Sequence, residues 1–338
     1  MARRLLHLGR LVRIDAAAFA PAVAVLVVAV LAAGCSGGGG ESARLRVVAT
    51  TAVLAEFAGH VAGPDADVAV LIPSGVDEHS FEAAPEAARR IATAGLLIVN
   101  GYNLEEGLLR VVVQNRRSGV PLVVASAGLT ARAAVEDHAG EPPPPGGVDP
   151  LVFADGDPHF WLAVPNAVRY VENIRDALVA ADAAHADGYR QRADAYLGTL
   201  RALDGEMRAA VAQIPAEQRR LVVFHDAYGY FAQEYGFALT ASVLPASPNQ
   251  QPSAQHVSDL IALVQREHVP AVYREPQFSA QVLDAIAQET GARVLTLYST
   301  YAGPVADYAA LMRANAAALV DGLAGPAPRA TSGGAAGR

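Results

Sequence analysis

The chain has 338 residues, 52% of them hydrophobic, and a formal net charge of -8. Its N-terminal leader carries +3, so the remainder stands near -11, a balance that excludes nucleic acid as a partner. The single cysteine, Cys35, excludes an intramolecular disulfide, and the fold has to stand on its core.

Residues 1–34 read as a signal peptide. Arg3, Arg4, Arg10 and Arg13 precede an apolar run from Ala16 to Ala33 that closes in small residues. A retained transmembrane helix is the alternative, because about 18 apolar residues nearly span a bilayer. The small residues and Gly37-Gly38-Gly39-Gly40 favour processing. Leu31-Ala32-Ala33-Gly34-Cys35 resembles the bacterial lipobox, with Ala32 where leucine is usual, so Cys35 is expected to carry lipid. Residues 35–44 then form a glycine-rich tether behind the lipidated cysteine.

From Leu45 short apolar runs alternate with helical periodicity. Strands are expected over 46–50, 67–72, 96–99 and 121–125, and helices over 52–62, 85–93 and 104–115. Pro142-Pro143-Pro144-Pro145-Gly146-Gly147, inside 139–149, predicts an exposed loop, since proline interrupts either element there. Residues 165–214 nearly lack glycine and keep leucine, alanine and tyrosine at helical spacing, with a break near 182–186. Two helices follow, the second of about 27 residues and about 40 Å at 1.5 Å per residue, long enough to join two lobes. Alternation resumes with strands over 221–224, 237–241, 271–273 and 293–297 and a helix over 253–268. Strands alternating with helices imply parallel sheets covered on both faces. The expected fold is α/β, two βα lobes joined by a long rigid helix: an N-terminal lobe over 45–184, a linking helix over 185–214 and a C-terminal lobe over 215–324. The tail over 325–338 is rich in Gly, Ala, Pro and Ser and is expected to be disordered.

Three of the nine histidines stand in distinctive settings: Asp77-Glu78-His79-Ser80-Phe81-Glu82, Asp157-Pro158-His159-Phe160-Trp161 and Phe224-His225-Asp226-Ala227-Tyr228-Gly229-Tyr230. Together they read as a metal site, because imidazole lone pairs suit borderline ions such as zinc, and three protein ligands leave a fourth position for a carboxylate or water. Their separation rules out one local motif, so the fold has to collect them from different loops. In open parallel sheets, ligands sit beyond the carboxyl ends of strands. His79 follows the second expected strand by a short loop and His225 ends the fifth, so a cleft between the lobes would gather a ligand set from each. His7, His60, His185, His256 and His268 have no partner at ligand spacing and read as structural or solvent-facing. Phe160, Trp161, Tyr228, Tyr230 and Phe231 are expected to line the cleft walls.

These residues resemble those of the metal-binding solute-binding proteins of ABC transporters, in particular the zinc-uptake branch. The resemblance runs through Val48-Ala49-Thr50-Thr51, Ile72-Pro73-Ser74-Gly75, Glu78-His79, Asn100-Gly101 and Leu104-Glu105. It continues through Gly156-Asp157-Pro158-His159 with Trp161, His225-Asp226-Ala227-Tyr228-Gly229-Tyr230-Phe231 and Glu275-Pro276-Gln277-Phe278. It implies two βα lobes joined by a long helix, and carries metal ligation onto His79, His159 and His225. Many relatives add an aspartate after the last strand, but here Tyr298-Ser299-Thr300 follows it. A phenol has to ionise first, near about pH 10, to be a good ligand. Glu78 or a water is therefore expected to complete the site, while Glu275 is expected to hold loops behind it.

Three imidazoles with at most one carboxylate favour Zn2+, whereas Mn2+ prefers more oxygen donors. The zinc branch often carries a histidine-rich loop between the first two ligands; this chain has only Glu136-Asp137-His138 there. The expectation is an extracytoplasmic, lipid-anchored, monomeric receptor that binds zinc at the cell membrane and passes it to a cognate ABC permease, with no catalysis of its own. A manganese or ferrous iron receptor is the alternative within the family. A zinc hydrolase is the alternative outside it, since three histidines and an open position also activate water, although no general base stands at recognisable spacing. An adhesin or scaffold role has no distinguishing feature in the sequence.

Overall fold

Strands β1 (Leu45–Ala49), β2 (Ala66–Val70), β3 (Leu96–Val99) and β4 (Leu122–Val124) pair in parallel in the order β2-β1-β3-β4. The second half repeats that order with β5 (Arg220–His225), β6 (Ala238–Leu244), β7 (Ala271–Arg274) and β8 (Arg293–Thr296), again all parallel, as β6-β5-β7-β8. These are the two expected α/β lobes. The computed structural model describes residues 44–133, 148–244 and 252–325. The expected leader, Cys35 with its tether, the polyproline run, His138 and the tail from 326 lie outside the described residues.

Helices cross between the strands, and their ends follow local chemistry. Helix α1 (Ala52–Ala62) starts at Thr51, whose hydroxyl accepts from the Leu54 amide, and stops at Gly63, whose φ of 54° suits a residue without a Cβ. Pro85 opens α2 (Pro85–Thr93), where its missing N–H costs nothing. Helix α3 (Glu106–Asn115) begins two residues later than expected because Glu105, its N-cap, holds φ -92° and ψ 51°, outside helical geometry. Helices α6 (Gly229–Tyr235), α7 (Ala254–Arg266) and α8 (Gln281–Thr290) serve the second sheet. Strand bounds move by a few residues: β2 was expected to reach Ile72, and the amides of Leu71 and Ile72 do continue to bond the carbonyls of Ala49 and Thr50.

The break expected near 182–186 is present, separating α4 (Val164–Ala181) from the long α5 (Ala186–Val211). Helix α5 buries Tyr189, Ala193, Leu197, Leu200, Leu203, Met207 and Val211, a repeat of three and four residues that keeps one stripe facing inward. At 26 residues it runs about 39 Å and carries the chain from one lobe to the other. Helix α9 (Tyr308–Leu323) returns from the second lobe and packs against α5.

One apolar cluster runs through both lobes, from Phe57 and Trp161 to Tyr230, Tyr308 and Leu319. Two smaller clusters close the far faces of the sheets, one around Ile91, Leu97 and Val112, the other around Val222, Leu260 and Ile286. Each sheet is thus buried on both faces, as parallel sheets require. Sharing the central cluster fuses the lobes across their inner faces, and the carboxyl ends of both sheets open toward the same region.

Candidate metal centre

In each sheet the strand order reverses between the first strand and the third, which is where an open parallel sheet offers a crevice. His225 is the last residue of β5, beside β7, so it stands at the reversal point of the second sheet. At the equivalent point of the first sheet stand Thr50 and Asn100. The Asn100 side chain donates to the carbonyl of Pro158 at 2.9 Å, which ties the loop bearing His159 to the end of β3. His79 arrives on the loop between β2 and α2. There Asp77 accepts from the His79 amide at 3.3 Å and from the Ser80 hydroxyl at 2.6 Å, a turn that fixes the loop locally.

The fold brings the three histidines together. Nε2 of His159 lies 3.1 Å from Nε2 of His79 and 3.3 Å from Nε2 of His225, and one ring nitrogen from each falls within 4.8 Å of the others. All three are buried, at 6%, 2% and 2% exposure in chain order, so whatever these nitrogens face is shielded from solvent.

The other ring nitrogen decides what Nε2 can do. Nδ1 of His159 lies 2.9 Å from Asp157 Oδ1, and Nδ1 of His225 bonds Glu275 Oε2. An ionised carboxylate only accepts, so each Nδ1 carries a proton, and each Nε2 presents its lone pair whenever its imidazole is neutral. Lone pairs turned on one another at 3.1 to 3.3 Å repel unless a proton or cation lies between them. For nitrogens bound to zinc at about 2.0–2.1 Å in tetrahedral geometry, the N···N separation is about 3.4 Å. The two short separations lie close to that value and the third falls within 4.8 Å, a spacing that one divalent ion could span.

Ionisation follows the same plan. Burial drives the His79 imidazole well below its ordinary range, and the neighbouring His159 and His225 push it further. His159 is lowered well below it too, by burial and then by His225. For His225, burial also opposes charge, but the Glu275 carboxylate outweighs it and the net shift is upward. Burial raises Asp157 to about 6 despite the His159 amide and Arg132.

Glu78, the expected fourth donor, is buried beside the triad, pushed up to about 7 by burial and partly restrained by a hydrogen bond with Thr300. The cluster of donor atoms within 4.8 Å comprises the three histidines alone among the described residues; the structure does not bring Glu78 into it. The Tyr298 backbone is pinned to Asn315 of α9 through both its N–H and its carbonyl. Glu275 is fully buried behind His225, and also accepts from Tyr228 and Gln277 at 3.3 Å each. Of the aromatic residues expected along the cleft, Trp161 packs 5.4 Å from His159, Phe160 stacks on Tyr230 with centroids 4.4 Å apart and Tyr228 donates to Glu275, whereas Phe231 packs against Tyr235 and Phe237.

Sequence reasoning missed the work of Asp157 and Arg132. A signal for the first was visible: Asp77 and Asp157 each stand two residues before a clustered histidine, and each accepts from that histidine's amide. Arg132, whose guanidinium bonds Asp157 Oδ2 at 2.7 Å, left no such signal.

The family described as ZnuA, zinc-uptake complex component A periplasmic, matches residues 47–322. The chain belongs to the ZnuA family. Membership makes it a substrate-binding component of a metal ABC transporter. Among ZnuA relatives, the iron-binding protein YfeA of Yersinia pestis is 30% identical over 83% of this chain and 86% of its own length. The manganese-binding lipoprotein MntA of Halalkalibacterium halodurans is 29% identical over 88% and 96%. The periplasmic zinc-binding protein TroA from Treponema pallidum has the same fold, with a TM-score of 0.72 at 24% identity, covering 82% of this chain and 99% of TroA. ZnuA relatives thus carry the names of iron, manganese and zinc.

Proposed function

We propose that this chain is a zinc receptor that captures Zn2+ outside the cytoplasmic membrane and hands it to an ABC permease. Nε2 of His79, His159 and His225 are its ligands, and Glu78, released from Thr300, or a water completes the tetrahedron. The observation that carries this reading is the convergence of three Nε2 atoms, two of them held as lone-pair donors by Asp157 and Glu275. Three imidazoles with at most one carboxylate favour zinc over manganese, which prefers more oxygen donors. The signal peptide over 1–34 and lipid on Cys35 would leave the receptor tethered at the outer face of the membrane.

A manganese or ferrous iron receptor is the competing reading, favoured by the names of the two curated relatives above. A hydrolase reading draws no support from the relatives, which are named for binding and transport.

Competition against a zinc chelator tests the proposal, with one equivalent of zinc held far more tightly than micromolar as the expected result. Micromolar or weaker binding would discard it. Elemental content after expression in mixed metals separates the two receptor readings, and manganese retained in preference to zinc would replace the first with the second.

A further inference from the structure

Arg132 lies close to both halves of the centre without touching it. Its guanidinium Nη1 donates to Asp157 Oδ2 at 2.7 Å, leaving Oδ1 to hold His159. Its backbone carbonyl accepts from the Asp157 amide at 3.0 Å. Its backbone N–H donates at 2.9 Å to the hydroxyl of Tyr230, and that hydroxyl in turn donates to the Asp157 carbonyl at 2.7 Å. The guanidinium carbon stands 5.7 Å from the Tyr230 ring centre, within reach of its π face.

Gly229 supplies an independent observation. A Cβ built at that position would fall 1.1 Å from Nη1 of Arg132, so the guanidinium occupies the space a side chain would need. Gly229 opens α6, four residues beyond His225. One side chain from the first lobe therefore braces the loop of His159 and seats in a notch next to the loop of His225.

We infer that Arg132 is a positioning residue for the metal centre: it orients the Asp157 carboxylate toward His159 and, seated against Gly229 and Tyr230, fixes the spacing between the loops of His159 and His225. This rests on the proposed reading that these imidazoles bind the ion. Partners one shell beyond metal ligands change affinity by about 10–100-fold, so a residue acting through Asp157 belongs at about the lower end.

The test uses the full chain with Arg132→Ala, Gly229→Ala and the double variant. Gly229→Ala is informative because the obstructing atom is the far end of a flexible side chain, so the guanidinium can move while the fold stays. Each single variant is expected to weaken zinc about 10-fold and to change the visible spectrum of the cobalt-loaded protein in the same direction. The double variant is expected to be no weaker than Arg132→Ala alone. In the metal-free protein, nitrogen NMR of His159 is expected to show the fixed Nδ1–H tautomer in wild type and its loss in Arg132→Ala. Wild-type affinity, spectrum and tautomer in both single variants would overturn the inference while leaving the receptor reading intact, and so would fully additive losses in the double variant. A wild-type protein that binds neither zinc nor cobalt would remove both.

Discussion

Glu275 meets His225 from the residue just past the adjacent strand β7, the two standing two positions beyond the paired residues Val223 and Tyr273, so the β5–β7 register itself delivers the carboxylate to Nδ1. The bond fixes the tautomer and makes Nε2 a better donor. Glu275→Ala is expected to lower zinc affinity about 10–100-fold, as loss of an outer-shell partner does, and to leave the Tyr228 hydroxyl without an acceptor, while Gln277 keeps Ser299. Chelator competition reads the first effect and thermal unfolding of the metal-free protein reads the second. Unchanged affinity would mean that the pair serves packing alone.

Zinc binding is expected to weaken as pH falls, and the sign follows from His225. Its net shift is upward, so in the metal-free protein the proton competes for this imidazole from above the ordinary histidine range, whereas His79 and His159 already sit neutral. The proton must leave before Nε2 can bind, so affinity is full above the raised value and declines through it. Titration calorimetry in buffers of different ionisation enthalpy should show proton release near neutrality. Uptake of protons, or affinity flat from pH 8 to 6 on about the scale of the free imidazole range, would contradict this assignment.

Glu78 separates two versions of the site. Its value of about 7 means that ligation at neutral pH expels a proton from a sizeable fraction of molecules. Glu78→Gln keeps the shape but removes the charge, and is expected to weaken zinc about 10-fold and to reduce proton release. A variant that binds like wild type would hand the fourth position to water.

The sheets, the long helix and the three histidines were legible because each leaves a local trace: apolar runs in the strands, a repeat of three and four residues in α5, and distinctive flanks at Glu78-His79-Ser80, Asp157-Pro158-His159 and Phe224-His225-Asp226. Arg132 left none, because its partners Asp157 and Tyr230 stand 25 and 98 residues away, and Tyr230 meets it only once both lobes have formed. Glu275 was read as a loop support rather than a partner of His225, since strand register decides what faces His225 and no single strand encodes it. The late start of α3 followed from the non-helical backbone of Glu105, which side-chain periodicity does not report.

Glu56 of α1 is the clearest bond between the lobes away from the metal centre. It accepts from the Tyr196 hydroxyl of α5 at 3.1 Å, from the Tyr301 hydroxyl, and from the Tyr308 amide at the start of α9 at 2.9 Å. Three donors from the linking helix and the second lobe thus converge on one carboxylate of the first. Hydrogen bonds to a charged group contribute about 1.5–3 kcal/mol each, and removing an acceptor leaves buried donors unpaired at about 1–3 kcal/mol. Tyr301→Phe deletes one donor and keeps the ring, so it is expected to cost about 1.5–3 kcal/mol. Glu56→Ala strands all three donors and should cost more. Denaturant unfolding of the metal-free variants measures both, and the order is the discriminating result. If Glu56→Ala proved no worse than Tyr301→Phe, the carboxylate would not be the shared anchor that its three partners indicate.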